Sequence, residues 1–165
     1  MEFHETLGDL TRSGVSFVVI GGMLRPLYAP ANPRPTFDID VVIEPAGTER
    51  LVRHLYQCGY GVLTRFEAKP WTEPVVETIA SADDAVALAW ARPAVSFFRD
   101  HPYALLDAWR DVGIPFAELE LRSRRKALAG VEVAIVDADD WRRLKELANR
   151  EKDRADLEAF QKPSS

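Results

Sequence analysis

Two stretches decide the fold: Val18-Val19-Ile20-Gly21-Gly22, and, after a short helix and a proline-rich loop, Arg34-Pro35-Thr36-Phe37-Asp38-Ile39-Asp40-Val41-Val42-Ile43. The first is an apolar run that ends in a glycine pair, which is expected to open a helix. The second carries two carboxylates separated by one apolar residue. In a strand, side chains alternate between faces, so Asp38 and Asp40 point the same way, about 6.6 Å apart along the chain, while Ile39 and Val41 point into a core. Two acids converging on one face repel each other unless a cation lies between them. A hard cation such as Mg²⁺, held by carboxylates and by substrate phosphates, suits that arrangement. Glycines at a helix start supply the other half, because their N–H groups approach a phosphate with no Cβ in the way. The pattern reads as a metal-dependent phosphate site.

Working outward, residues 2–13 read as a helix, with Phe3, Leu7 and Leu10 at helical spacing and Gly14 just beyond it. Val15 to Ile20 is a buried strand by its β-branched content, and Met23 to Tyr28 a short helix. Three prolines between Ala29 and Pro35 demand a loop. Asp38 to Glu44 is the second strand, Gly47 to Cys58 an amphipathic helix burying Leu51, Val52 and Leu55, and Gly59 to Phe66 a strand. Ala68 to Pro74 has no assignable element. Ala80 to Trp90 reads as a helix, Val95 to Arg99 and Tyr103 to Trp109 as strands joined at Asp100-His101-Pro102, and Pro115 to Leu121 as a short helix. Gly130 marks a turn before the strand Val131 to Val136. Asp137 or Asp139 caps a helix running to Asn149, and a last helix spans Glu151 to Phe160. The alternation of helices and strands predicts an α/β or α+β fold built on one mixed sheet flanked by helices.

At 165 residues the chain is expected to be one domain with a real core. A net charge of −5 argues against a general nucleic-acid coat and a polybasic membrane patch, though not against a local basic cleft. Cys58 is the only cysteine, which excludes an internal disulfide and a thiolate zinc cluster. The polar start Met1-Glu2-Phe3-His4-Glu5 is unlike a signal peptide, and no apolar run approaches a membrane span, so a cytoplasmic protein without a membrane partner is expected. His4, His54 and His101 have no metal-ligand spacing. Trp71, Trp90, Trp109 and Trp141 are expected in the core or a cleft wall, and Cys58 as a buried apolar side chain.

Ile20-Gly21-Gly22, then a helix, then Asp38-Ile39-Asp40-Val41, resembles the glycine pair and paired-aspartate strand of the DNA polymerase beta-like nucleotidyltransferases. More narrowly, the chain resembles the small bacterial members related to abortive-infection and toxin–antitoxin systems. Further features carry that likeness: Gly14 to Gly22, the run Arg34 to Asp40, Lys145, and Arg150-Glu151-Lys152-Asp153-Arg154-Ala155-Asp156. Gly22 stands where the superfamily often has serine. The resemblance implies a nucleotidyltransferase-like domain over residues 1–162, with a core at about 14–136, C-terminal helices at about 138–160 and a tail at 163–165.

The same resemblance implies a third carboxylate on a later strand. Asp107 in Tyr103-Ala104-Leu105-Leu106-Asp107-Ala108-Trp109 is the candidate, with Asp100 and Asp111 as rivals. Asp38, Asp40 and Asp107 would then bind two Mg²⁺ ions, or Mn²⁺, and Asp107 would act as general base. Gly21, Gly22, Arg34, Thr36, Lys145 and Lys152 would hold the nucleotide, with Arg25 and Arg150 near them. Asp153 and Asp156 would organise the neighbouring basic side chains, and Glu146–Arg150 would be an ordinary helix-face pair. The implied reaction moves a nucleoside monophosphate from an NTP donor to a hydroxyl on an RNA end, a protein or a small molecule. The alternative is a non-catalytic or weakly catalytic partner-binding component of a toxin–antitoxin pair, with an exposed apolar patch around Trp71 or Trp90.

Overall fold

The computed structural model describes residues 2–164; Met1 and Ser165, which belong to the expected polar start and the expected tail, lie outside them. Among the described residues, eight strands form one mixed sheet in the order β4-β3-β5-β6-β2-β1-β8-β7. The strands are β1 Phe17–Ile20, β2 Ile39–Ile43, β3 Gly61–Glu67, β4 Val75–Thr78, β5 Ala94–Arg99, β6 Ala104–Trp109, β7 Arg124–Leu128 and β8 Val131–Ile135. Seven helices accompany them: α1 Phe3–Arg12, α2 Arg25–Tyr28, α3 Thr48–Gln57, α4 Ala82–Ala91, α5 Phe116–Arg122, α6 Ala138–Ala148 and α7 Glu151–Glu158.

β2 sits in the middle, antiparallel to β1 and parallel to β6. Its apolar residues Ile39, Val41, Val42 and Ile43 are all 4% exposed or less. The core continues through Leu7 and Leu10 of α1, through Leu51, Val52 and Leu55 of α3, and through Phe97 and Leu106, each at most 1% exposed. At about 25 cal/mol per Å² of apolar area, this continuous burial is what holds helices and sheet together. Asp137 caps α6 by accepting from the Asp140 N–H at 2.8 Å, and Asn149 ends that helix in the left-handed conformation at φ 48.

Several expected elements need correction. The glycine pair opens a 3-10 turn, Gly21–Leu24, and α2 follows only at Arg25, so the expected helix from Met23 is divided between the two. β2 begins at Ile39, which leaves Asp38 one residue ahead of the ladder. β4 and β7 are strands that periodicity did not reveal. Arg124-Arg125-Lys126 is an exposed basic stretch of the edge strand β7, which pairs with β8. Lysine and arginine on an edge strand discourage pairing with another chain and hide the strand from a hydropathy reading. Trp71 is fully exposed and Trp90 is 45% exposed, whereas Trp141 is core at 1%. Cys58 is only half-buried, and its Sγ lies 3.6 Å from Nε2 of His54, one helical turn earlier in α3. Glu146 pairs with Arg142 at 3.6 Å instead of Arg150.

Candidate active site

Three carboxylates meet at the junction of β2 and β6. The parallel register places Asp40 directly beside Asp107 on the next strand, and Asp38 precedes Asp40 by two residues on the same face. One ligand oxygen from each of Asp38, Asp40 and Asp107 lies within 4.8 Å of the others. The rivals do not join that cluster: Asp100 is an exposed turn residue paired with His101, and Asp111 lines the same cleft outside the group of three.

The cluster is electrostatically unsatisfied. Burial pushes the Asp40 carboxyl up to about 7, and the neighbouring charges of Asp107 and Asp38 push the same way. The indole N–H of Trp109 leans toward Asp40 and offsets this slightly, but its Nε1 is buried without a partner at hydrogen-bonding geometry. Asp107 is raised as well, mainly by burial and further by Asp38, while a short hydrogen bond from the Ser96 hydroxyl opposes the shift. Acids this close cannot all ionise without a compensating cation. An oxygen-only donor set of this kind suits a hard divalent ion, so the residues fit a metal centre.

The glycine turn is packed against the acids. Gly21 has φ +76, and a Cβ there would sit 2.9 Å from Cβ and Cγ of Asp40. Both its conformation and its neighbour therefore require glycine. At Gly22 a Cβ would lie 2.7 Å from Nη2 of Arg25 and 3.1 Å from the Thr36 hydroxyl. Glycine at this second position leaves room for an arginine guanidinium under the turn. Trp141 anchors the turn from α6 by donating its indole N–H to the Gly21 carbonyl at 3.0 Å.

Facing the acids across a cleft of about 450 Å³ is a wall of cations: Arg25, Arg34, Lys145, Arg150 and Lys152. Two fully buried aspartates of α7 hold four of them. Asp156 receives Asn32 at 2.8 Å, Arg34 at 2.8 Å, Lys145 at 2.9 Å and Arg25 at 3.2 Å. Asp153 receives Arg150 at 2.7 Å and Lys145 at 3.3 Å. Both acids are pulled below the usual carboxylate range: burial opposes this, and the hydrogen bonds and charges of Arg150, Lys145, Arg25 and Arg34 outweigh it. Two negative charges against four positive ones leave the wall cationic, with Lys152 adding one more.

Of the residues singled out in the sequence, Asp38, Asp40, Gly21, Gly22, Asp107, Arg34, Lys145 and Lys152 all line this cleft. Thr36 lies beneath Gly22 and does not line it. Arg34 reaches the cleft while committed to Asp156, so it is pre-positioned by a buried acid. Sequence reasoning missed Ser96, and it expected Trp109 as core or cleft wall without its approach to Asp40. A hairpin turning at Asp100-His101-Pro102 pairs Ser96 with Asp107, so the Ser96 contact was encoded in that turn; the direction of the Trp109 indole was not.

The fold is of the nucleotidyltransferase kind. Among solved structures the chain is similar to the lincomycin-bound lincosamide antibiotic adenylyltransferase LnuA, with a TM-score of 0.58 and 14% sequence identity over 96% of this chain and 93% of that one. At that identity the likeness is one of fold. No family model and no curated protein matches the sequence. Among the described residues, no helix is long and apolar enough to cross a membrane.

Proposed function

We propose that this chain is a divalent-metal-dependent nucleotidyltransferase that moves a nucleoside monophosphate from an NTP to a hydroxyl and releases pyrophosphate. The observation that carries the reading is the pairing of an uncompensated acidic cluster, Asp38, Asp40 and Asp107, with a cationic wall across one cleft. The acids would hold Mg²⁺ or Mn²⁺, which when bound neutralises charge on the attacking and leaving oxygens. The residues of the chain supply the rest. Gly21 and Gly22 present backbone N–H groups to the phosphates. Lys145, Arg150, Lys152 and the Asp156-held arginines draw the triphosphate toward their wall and stabilise the departing pyrophosphate. Asp107, on the opposite side, accepts the hydroxyl proton. The fold neighbour is an adenylyltransferase solved with lincomycin, so ATP is the first donor to try and a small hydroxyl compound the first acceptor.

The test is calorimetric titration of ATP, GTP, CTP and UTP, with and without Mg²⁺, into the wild type and an Asp38→Ala/Asp40→Ala variant. Mg²⁺-dependent binding of at least one NTP, lost in the variant, is expected. Absence of binding to a folded wild type would contradict the reading.

A second reading, a partner-binding component of a toxin–antitoxin pair, has one observation in its favour. Trp71, in the loop between β3 and β4, leaves an apolar patch that is fully exposed. Such a patch is suited to contact with another protein. Co-purification of a stoichiometric partner, lost on Trp71→Ser, would support this reading over catalysis alone.

A further inference from the structure

The face of β6 that carries Asp107 continues in two directions. Toward its end it passes Trp109 into the cleft; toward its start it runs through Leu105 to Tyr103. β5 pairs so that Ser96 lies opposite Asp107 and Phe98 opposite Leu105. The Phe98 ring is 5.8 Å from Tyr103, edge-on, and 6.5 Å from Phe66. The register irregularity between Leu63 and Arg65 shifts the alternation of β3 and brings Phe66 round to this side. In β5 and β6 the residues of the other face are buried, while those of this face stay half-exposed; Tyr103 and Phe66 are 38% and 41% exposed. Tyr103 also lies in the electrostatic field of Asp38, after burial the second influence on its hydroxyl. An open aromatic ridge thus begins where the acidic cluster ends.

Displacement chemistry gives this ridge a role, and the argument rests on the transferase reading above. In an in-line displacement the attacking and leaving oxygens lie on opposite sides of the phosphorus. If pyrophosphate departs toward the glycine turn and the cationic wall, the hydroxyl arrives from the far side of Asp107, across Ser96 and Leu105. We propose that Phe66, Phe98 and Tyr103 form the acceptor platform, and that it takes a neutral or cationic organic alcohol with a flat apolar face. The alcohol oxygen bonds to the α-phosphorus as the bond to the bridging oxygen of pyrophosphate breaks, and the alcohol proton passes to Asp107.

Charge selects this class over a nucleic-acid strand. Strand binding combines stacking rings with cations that track phosphates. The arginine beside the ridge, Arg65, is held by Glu67 at 2.9 Å and by Glu77 at 3.2 Å. Asp100, 76% exposed in the turn before Tyr103, adds negative charge at the other end.

The test uses protein saturated with Mg²⁺ and the NTP that binds it, with 2-(2-naphthyl)ethanol and a short single-stranded RNA as probes, read through the Leu105 methyl signals. The alcohol is expected to shift those signals. Tyr103→Ala and Phe66→Ala are each expected to weaken it by about tenfold or more, the effect of deleting one stacking ring, with the NTP dissociation constant unchanged. Both side chains are exposed, and thermal melts check that the variants fold. Absence of Leu105 shifts in NTP-bound protein, shifts confined to Val112 and Leu147 in the cleft, or RNA affinity lost in the same variants would each overturn the platform. Failure of every NTP to bind would instead remove the transferase reading, while alcohol shifts at Leu105 would still report whether the ridge binds such compounds.

Discussion

Two groups of aspartates serve one cleft, Asp38, Asp40 and Asp107 at the junction of β2 and β6 and Asp153 and Asp156 on α7 behind its cations, and they differ in who balances their charge. Asp153 and Asp156 are fully buried yet satisfied: Arg25, Arg34, Lys145 and Arg150 surround them, and their pKa values are lowered. Asp38, Asp40 and Asp107 are less buried yet unsatisfied, and Asp40 and Asp107 are raised. Burial alone therefore does not tell a structural acid from one that awaits a ligand. The partner does. A carboxylate whose counter-charge comes from its own chain holds the fold, and one whose counter-charge is missing is poised for a cation.

One chemical change made on each side should break the symmetry. Asp156→Asn leaves Lys145, Arg25 and Arg34 without their shared carboxylate, and removing one partner of a buried ion network costs about 3–5 kcal/mol. Denaturant unfolding should show this loss directly. Asp40→Asn should leave the unfolding midpoint of metal-free protein unchanged or raised, because repulsion is relieved, while transfer activity falls by roughly a thousandfold. Equal destabilisation by both changes would contradict the distinction.

The two groups also predict opposite pH responses in metal-free protein. Folded Asp40 keeps its proton to about 7, whereas the unfolded chain releases it near pH 4. Between those values the folded state binds more protons, so the Asp40 contribution to stability falls as pH rises from about 4 to 7. Asp153 and Asp156 act the other way. Their contribution is fully present above the unfolded carboxylate range and is lost as pH drops through it and below. Melting midpoints across pH should flatten between about 4 and 7 in Asp40→Asn and not in Asp156→Asn.

Smaller effects follow at the margins of the comparison. Gly21→Ala strains a positive-φ position and presses on Asp40, which should cost about 1–3 kcal/mol by denaturant unfolding. Trp71→Ser removes a ring that is fully exposed, and should move the unfolding free energy by no more than about 0.5 kcal/mol.

What was legible in the sequence follows from the same physics. The glycine pair and Asp38-Ile39-Asp40 could be read because strand alternation and glycine's conformational freedom are local rules. Asp107 lies more than sixty residues away from Asp40 in the chain. Its place beside Asp40 depends on the parallel pairing of β2 and β6, which only the resemblance suggested. The roles of Asp153 and Asp156 could be guessed from neighbouring charges such as Arg150, but the two arginines that Asp156 holds, Arg25 and Arg34, come from the distant α2 and proline loop. β7 escaped notice because its exposed, basic residues lack a buried face, and β4 because only four residues, nearly all exposed, give no alternation to read. Trp141 in the core and Trp109 in the cleft wall meet the expectation for an indole, whereas Trp71 and Trp90 do not, and the hairpin loop around Trp71 offers nothing to bury it against.

The central claim is that Asp40 stands in an acidic cluster whose missing partner is a divalent cation. Carbon-13 carboxyl NMR of Asp40, titrated with pH in the absence and presence of Mg²⁺, tests it most directly. A midpoint near 7 in metal-free protein, falling into the ordinary carboxylate range when Mg²⁺ is added, is the expected result. A midpoint near 4 in both conditions, unmoved by the ion, would contradict it.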